Sequence, residues 1–484
     1  MEDRHPPTIS LQSPMHSPTE PRNSAAAAAS RSLLRRFVKT ASALATTALL
    51  STAAFASQPV VSYIGGSLAW TTYGATFDNG VYNATTMGNY LSTWHSYHLN
   101  YMRVWACEGL DGLTFDGSGN CTGIKSSNLA NIVNFAQQAN ALGITVEYVF
   151  INYQDVNSSR IVTHGSSLIN NALVPLGKAL QPYQTRIDII NEGNLDVVGG
   201  ISWSQMRSFL SSAVTALRNA GVDRWLTMSD QNYVDYQAAN FPNRLQGLGF
   251  DYYEYHSYND DGSLAVNASQ VDAPLFLGEY GPDPGWLNFT YAQNQTFLNA
   301  TEANALSKGY SGASFWAYIT TDNYELIGKT ILSTDIANWA ASQSCYEAED
   351  LDVHASSGQS FTLNSDLGYS NGHGMIFNAT GVGNNVTLIV PNIAAGSYDV
   401  RIGVKKYTSR GIVQLAIGSP TFTPTNFGSP QDLYSGSATF TEIDLGTWSP
   451  GSTSDKYFQF TVTGKNAAST GYSMALDYIR VIPQ

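Results

Sequence analysis

From about residue 60 to 340 the chain alternates short β-rich runs with stretches of helical periodicity, and this alternation leaves few folds open to it. The β-rich runs are 67–70, 100–105, 144–152, 186–191, 225–229, 250–258, 274–280 and 313–319, with the first the weakest. Between them lie amphipathic patterns with recognisable ends. Residues 128–142 follow Ser126-Ser127, stop at Gly143, and place Leu129, Ile132, Val133 and Ala136 on one face. Residues 204–220 follow Ser202 and stop at Gly221. Eight strands separated by helices over roughly 280 residues predict an α/β fold, a (β/α)8 barrel. An open doubly wound sheet is the alternative, but no Gly-rich phosphate-binding turn supports it.

Beyond about residue 344 the helical patterns end. Gly, Ser, Thr and Asn rise, and short alternating runs appear at 386–390, 398–404, 412–417, 457–462 and 475–481. This texture predicts a β-sandwich. The chain thus divides into a leader at 1–56, a barrel at 57–343 and a sandwich at 344–484. The junction is short and not Pro-rich, so the two domains are expected to pack rather than swing.

In the leader, Ser32 to Lys39 is basic, Thr40 to Ala54 is apolar and small, and Ala54-Phe55-Ala56 has the form of a signal-peptidase site. Secretion is therefore expected, with a mature chain starting near Ser57. No later stretch reaches about 18 uninterrupted apolar residues, so no membrane insertion is expected. The net charge is −13, and removing the basic leader makes the rest more acidic still. That argues against nucleic acid or an anionic membrane as partner. Aromatic residues make up 12% of the chain and charged residues 13%, a balance that suits neutral ring-shaped ligands such as sugars. Some of those aromatics must instead be core. A monomer is expected. Of the three cysteines, Cys107 and Cys121 bracket a Gly- and Asp-rich loop and form either a local disulfide or two buried thiols; Cys345 is left over at the domain junction.

Reactive residues of such barrels project from the C-terminal strand ends. The fourth run ends Ile189-Ile190-Asn191-Glu192-Gly193, and the seventh ends Leu277-Gly278-Glu279-Tyr280. Each sets one carboxylate just past an apolar strand, where burial is costly unless a site uses the charge. Runs four and seven face each other across the mouth. Two carboxylates about 5–5.5 Å apart fit hydrolysis of a glycosidic bond with retention.

These residues resemble clan A of the glycoside hydrolases, and most nearly its family 5, the cellulase and mannanase group. The resemblance implies Glu192 as acid/base and Glu279 as nucleophile. It implies further that Arg103 pairs with the nucleophile, that Asn191 binds the sugar 2-hydroxyl, that His256 and Tyr258 are active-site residues, and that Trp316 is a platform under the sugar. A core His-Tyr pair, and ordinary barrel packing for Trp316, are the plainer readings. Family 5 usually reads Asn-Glu-Pro where Gly193 stands here, and Asn152 occupies the end of run three where the family has a histidine. Glu108 and Trp105 follow run two, either lining subsites or solvated in loops.

The sandwich opens Tyr346-Glu347-Ala348-Glu349 and closes Leu476-Asp477-Tyr478-Ile479. These motifs resemble carbohydrate-binding modules of families 6 and 35. The resemblance implies a structural calcium held by Glu347, Glu349 and Asp477, whose hard oxygen ligands suit that ion. The plainer reading is three surface acids on edge strands. Tyr369, Tyr407 and Trp448 are candidate sugar-stacking residues, and sandwich core is the alternative for each. No cofactor is expected for catalysis. The expected function is a secreted retaining hydrolase of β-linked polysaccharide. A non-catalytic glycan-binding or adhesion protein on a barrel scaffold, and a transglycosylase with the same pair, are the alternatives.

Overall fold

The structure is a computed structural model that describes residues 60–72, 74–194 and 198–484. The leader and its expected cleavage site lie outside the described residues.

Eight staves form the first domain: β1 (Tyr63–Leu68), β2 (Tyr101–Trp105), β3 (Thr145–Asn152), β4 (Thr185–Asn191), β5 (Trp225–Thr227 and Ser229–Asp230), β6 (Tyr253–Ser257), β7 (Leu275–Tyr280) and β8 (Tyr310–Ile319). Every pairing is parallel, and β1 joins β8 to β2. The first segment of β5 pairs with β4 and the second with β6, so the break at Met228 lets one strand close the barrel. The first stave begins at Tyr63 rather than 67, because the stretch with the weakest pattern, Gly65-Gly66, is inside the strand.

The helices include α1 (Ala84–Ser96), α2 (Ser126–Ala141), α3 (Val174–Leu180), α4 (Trp203–Asn219), α5 (Phe241–Arg244), α6 (Tyr291–Ser307) and α7 (Ala337–Gln343), and a further single turn spans Gly165–Leu168. In α4 the cap is the one the sequence signals. Ser202 Oγ accepts from the Gln205 amide, Gln205 answers the Ser202 amide, and Met206, Phe209, Leu210, Ala213, Val214 and Leu217 form the buried stripe. Helix α2 starts earlier than the Ser126-Ser127 cap predicts, with Lys125 at its head. Between β6 and β7 the chain makes only a short turn at Ala268–Gln270.

The barrel interior departs from aliphatic packing. At its N-terminal end Arg186 lies inside a ring of aromatic faces, 4.2 Å from Tyr63, 4.3 Å from Phe276 and 4.6 Å from Trp225. One layer above, Arg103, Glu147, Asp188 and Glu254 are all fully buried.

The second domain contains β9 (Cys345–Glu347), β10 (Asp352–Ser356), β11 (Phe361–Ser365), β12 (His373–Phe377), β13 (Asn385–Ile393), β14 (Tyr398–Lys406), β15 (Gly411–Ser419), β16 (Phe422–Asp432), β17 (Thr439–Trp448), β18 (Ser454–Lys465) and β19 (Met474–Pro483). One sheet runs β11-β12-β19-β14-β17 with β9 beside β19, and the other runs β10-β13-β18-β15-β16. Val386, Leu388, Val400, Phe458, Phe460 and Leu476 fill the space between them.

The sandwich seats on the N-terminal end of the barrel. Asn100 Nδ2, just before β2, donates to the Cys345 carbonyl, and Gln184 Nε2, just before β4, donates to the Asp350 carbonyl at 2.7 Å. Ser311 Oγ donates to the Ser370 carbonyl at 2.9 Å, Tyr63 donates to the Asp350 carboxylate, and Arg480 Nε donates to the Gln343 carbonyl. The domains therefore pack, with polar ties at several strand starts.

Tyr369 is wholly buried, with its hydroxyl donating to Asn364, so it is core rather than a sugar platform. Trp448 leans on Tyr398 and Phe458, and Tyr407 is exposed. All three cysteines are buried free thiols, which decides between the two readings of Cys107 and Cys121.

Candidate active site

Strand register brings the expected residues to one rim. Asn191, the last residue of β4, stands opposite Asn152 of β3, and Glu279 of β7 stands opposite His256 of β6. Glu192 follows with a left-handed backbone, φ 49°, a conformation that costs on the order of 1 kcal/mol in a residue with a side chain. Its amide donates to Ser229 Oγ at 2.9 Å, which anchors the turn to β5. A Cβ on Gly193 would lie 2.5 Å from Met228 Sδ, so this turn sits tight against the break in β5.

The two carboxylates share partners. One oxygen of Glu192, one of Glu279 and a ring nitrogen of His256 all lie within 4.8 Å of one another. His256 Nδ1 is 3.1 Å from Glu192 Oε1 and 3.6 Å from Glu279 Oε2. Arg103 Nη1 donates to Glu279 Oε1, and the Tyr258 hydroxyl donates to Glu279 Oε2. Arg103 also donates through Nη2 to Asp188 and to Asn191 Oδ1, each at 2.7 Å. Asn191 Nδ2 in turn donates to Asn152 Oδ1, and Asn152 Nδ2 donates to Glu108 Oε1 at 2.9 Å. Glu192, Glu279, Arg103, Asn191, His256 and Tyr258 thus form one hydrogen-bonded constellation.

Its charge state follows from burial and neighbours. Burial alone would lower the His256 pKa, but the charge of Glu279 and hydrogen bonds to Glu192 and Glu254 push it up to about 10, so the ring is an imidazolium at neutral pH. Burial, then the charge of Glu279, raise the Tyr258 phenol well above its usual range and keep it a donor. Both oxygens of Glu279 already accept from fixed donors, and two cations, Arg103 and His256, flank the pair.

Trp316 is half-buried and belongs to an aromatic wall. Its ring meets Trp105 edge-on at 5.3 Å and Trp70 at 5.8 Å, and Arg103 stacks over Trp105 at 4.7 Å. Its carbonyl accepts from Trp286 Nε1 at 2.7 Å, which fixes this part of β8.

No protein-family model matches the chain, and no curated protein does. Among solved structures it is similar to a β-1,4-D-mannanase from Cryptopygus antarcticus, at 20% identity over 57% of this chain and 89% of that one, with a TM-score of 0.46. An endo-1,4-beta-mannanase from Eisenia fetida is 20% identical over 57% of this chain and 90% of that one, with a TM-score of 0.47. A xanthan lyase from Paenibacillus is 32% identical over 29% of this chain but matches only 13% of the lyase, with a TM-score of 0.27.

Sequence reasoning missed the layer beneath the pair. Glu147, Asp188 and Glu254 project inward from β3, β4 and β6 and bring carboxylate oxygens within 4.8 Å of one another around Arg103. Their signal was present, since each is a lone acid at an inward position of an apolar strand, two residues from another inward residue.

In the sandwich, Ser370 Oγ lies 2.7 Å from a Glu347 oxygen and 2.8 Å from an Asp477 oxygen, within hydrogen-bond reach of both, and Asn371 Nδ2 donates to Glu349. Burial, then the charge of Asp477, push Glu347 well above the carboxylate range, and burial raises Asp477 to about 7. Among the described residues Glu349 Oε2 and Asn371 Oδ1, both buried, have no hydrogen-bond partner.

Proposed function

We propose that this protein is a retaining glycoside hydrolase acting on β-linked polysaccharide, with Glu279 as nucleophile and Glu192 as acid/base. The observation that carries this reading is the approach of the two carboxylates to within 4.8 Å across the barrel mouth. That spacing suits a covalent intermediate, whereas inverting pairs stand about 6.5–9.5 Å apart to admit a water.

In the first step Glu279 attacks the anomeric carbon, the bond from that carbon to the glycosidic oxygen breaks, and the leaving oxygen takes the proton of Glu192. In the second step Glu192 takes a proton from water, the water oxygen attacks the same carbon, and the ester to Glu279 breaks. Arg103 and Tyr258 hold the nucleophile's oxygens, Asn191 Nδ2 and His256 lie at the same rim to orient the sugar, and Trp316 offers an aromatic face.

A panel of mannan, β-glucan, xylan and galactan tests this directly. At least one should yield new reducing ends, and NMR should show the β-anomer first. Release of the α-anomer first would make the mechanism inverting, and no release on any polymer would favour the glycan-binding alternative. Export through the leader is part of the same reading, and no helix among the described residues is long and apolar enough to cross a membrane.

We propose also that the sandwich is a carbohydrate-binding module with calcium at Glu347, Glu349 and Asp477. Glu347 and Asp477 gather at Ser370 and Glu349 lies beside Asn371, with Glu349 Oε2 and the Asn371 amide oxygen Oδ1 orphaned, so together they offer an all-oxygen donor set suited to that ion. The ion would neutralise the mutual repulsion of the acids. A ligand bound only to the folded state adds about 2.7 kcal/mol at a hundredfold excess over Kd. EDTA should therefore lower the melting temperature of the full-length chain and calcium should restore it; an unchanged melting curve removes calcium.

A further inference from the structure

Glu254 stands on β6 two residues before His256, so both side chains point into the barrel. It is fully buried and its Oε1 lies 3.0 Å from Arg103 Nε and 3.4 Å from His256 Nε2. These two neighbours are the groups that hold Glu279 and Glu192. The opposing strand is shaped around it. A Cβ on Gly278 of β7, the residue before Glu279, would lie 1.8 Å from Glu254 Oε1. Real Cβ atoms do not approach so closely, so glycine at 278 is what lets Glu254 reach Arg103.

We propose that Glu254 is a positioning residue: its carboxyl clamps Arg103 and His256 from below, so that Glu279 and Glu192 keep one geometry across the sugar bond. This rests on the hydrolase reading above. The groups that face Glu254 are Arg103 of β2, Glu147 of β3, Asp188 of β4, His256 on its own strand, and the phenols of Tyr101, Tyr236 and Tyr252. Burial, then the charge of Glu147, push Glu254 up to about 8 against the pull of Arg103. Near neutrality it therefore holds a proton, and the layer avoids a further buried negative charge. Above about pH 8 it ionises and supports the imidazolium of His256 more strongly.

The full-length chain tests this with E254A, E254Q and G278A. Loss of the clamp should lower kcat by about tenfold or more in E254A while KM stays within about threefold, because misplacement harms the reacting groups more than the distant contacts. E254Q, which keeps the shape and one acceptor oxygen, should recover kcat to within about threefold of the unaltered chain. G278A, whose methyl group displaces Glu254, should reproduce the E254A loss. The His256 ring, followed by nitrogen NMR without substrate, should titrate about one unit or more below its midpoint in the unaltered chain in both E254A and E254Q. An E254A or G278A kcat within twofold of the unaltered chain, or an unmoved His256 midpoint, overturns the proposal. Should E254A fail to fold, the E254Q titration decides it alone. Should the unaltered chain cleave no glycan, the hydrolase reading fails while the His256 titration still judges the clamp.

Discussion

Glu279→Ala is expected to lower kcat by roughly 10⁴-fold or more while leaving the fold intact. Arg103 keeps Glu147, Asp188 and Glu254 as partners in the variant, so its buried charge is not orphaned. The alanine leaves space where the nucleophile stood, bounded by Arg103 and Tyr258. Azide is small and anionic, and from that space it meets the anomeric carbon on the face Glu279 used. Its nitrogen forms the new bond, the glycosidic bond breaks, and the leaving oxygen takes the proton of Glu192. A β-glycoside should thus regain turnover with added azide and give the α-glycosyl azide. Formation of the β-azide would reverse the two roles, and a variant with unchanged kcat would remove Glu279 from the chemistry.

Glu192→Gln is expected to slow substrates with poor leaving groups by about 10²–10⁴-fold, the usual worth of general acid catalysis, and to slow the first step of activated aryl glycosides far less. A glutamine keeps the contact to His256 but has no proton of the right acidity to give. An aryl leaving group departs without that proton. The glycosyl-enzyme then waits for a base, so these substrates should show a burst, and azide should speed their turnover and give the β-azide. Equal slowing of both substrate types would mean that Glu192 is not the acid. Glu108, buried behind Asn152, would then be the next carboxylate to replace.

The barrel and the two strand-end carboxylates were legible in the sequence, for physical reasons that also explain what was not. Glu192 and Glu279 stand where a strand's apolar run stops, and a charge at such a boundary is conspicuous in sequence. Glu147, Asp188 and Glu254 are hidden because each sits in mid-strand, flanked by apolar residues that face outward to the helices. Their partner Arg103 lies 44 to 151 positions away in the chain, and only closure of the barrel brings the four together. The leading acids of the sandwich carried a motif, whereas Ser370 and Asn371, which meet them, lie in a loop with none. Strands such as β16 and β17 escaped notice because many of their positions are exposed or half-exposed and polar, so no alternation marks them. The β6–β7 connection lacks the helix that a regular repeat predicts, and its Asn267 cap closes only a single turn.

The seat of the sandwich on the barrel's base has a consequence for how a long polymer meets this molecule. A stave such as β8, with ten residues, spans roughly 30 Å, so the two domains present their outer surfaces at opposite ends of a column. A glycan held by the sandwich, on the reading proposed above, could not run straight on into the barrel mouth as one continuous track. On the proposed glycan-binding reading, the second domain would work instead as a tether that keeps the mouth within reach of neighbouring polymer strands. What it would supply is local concentration of polymer rather than additional subsites.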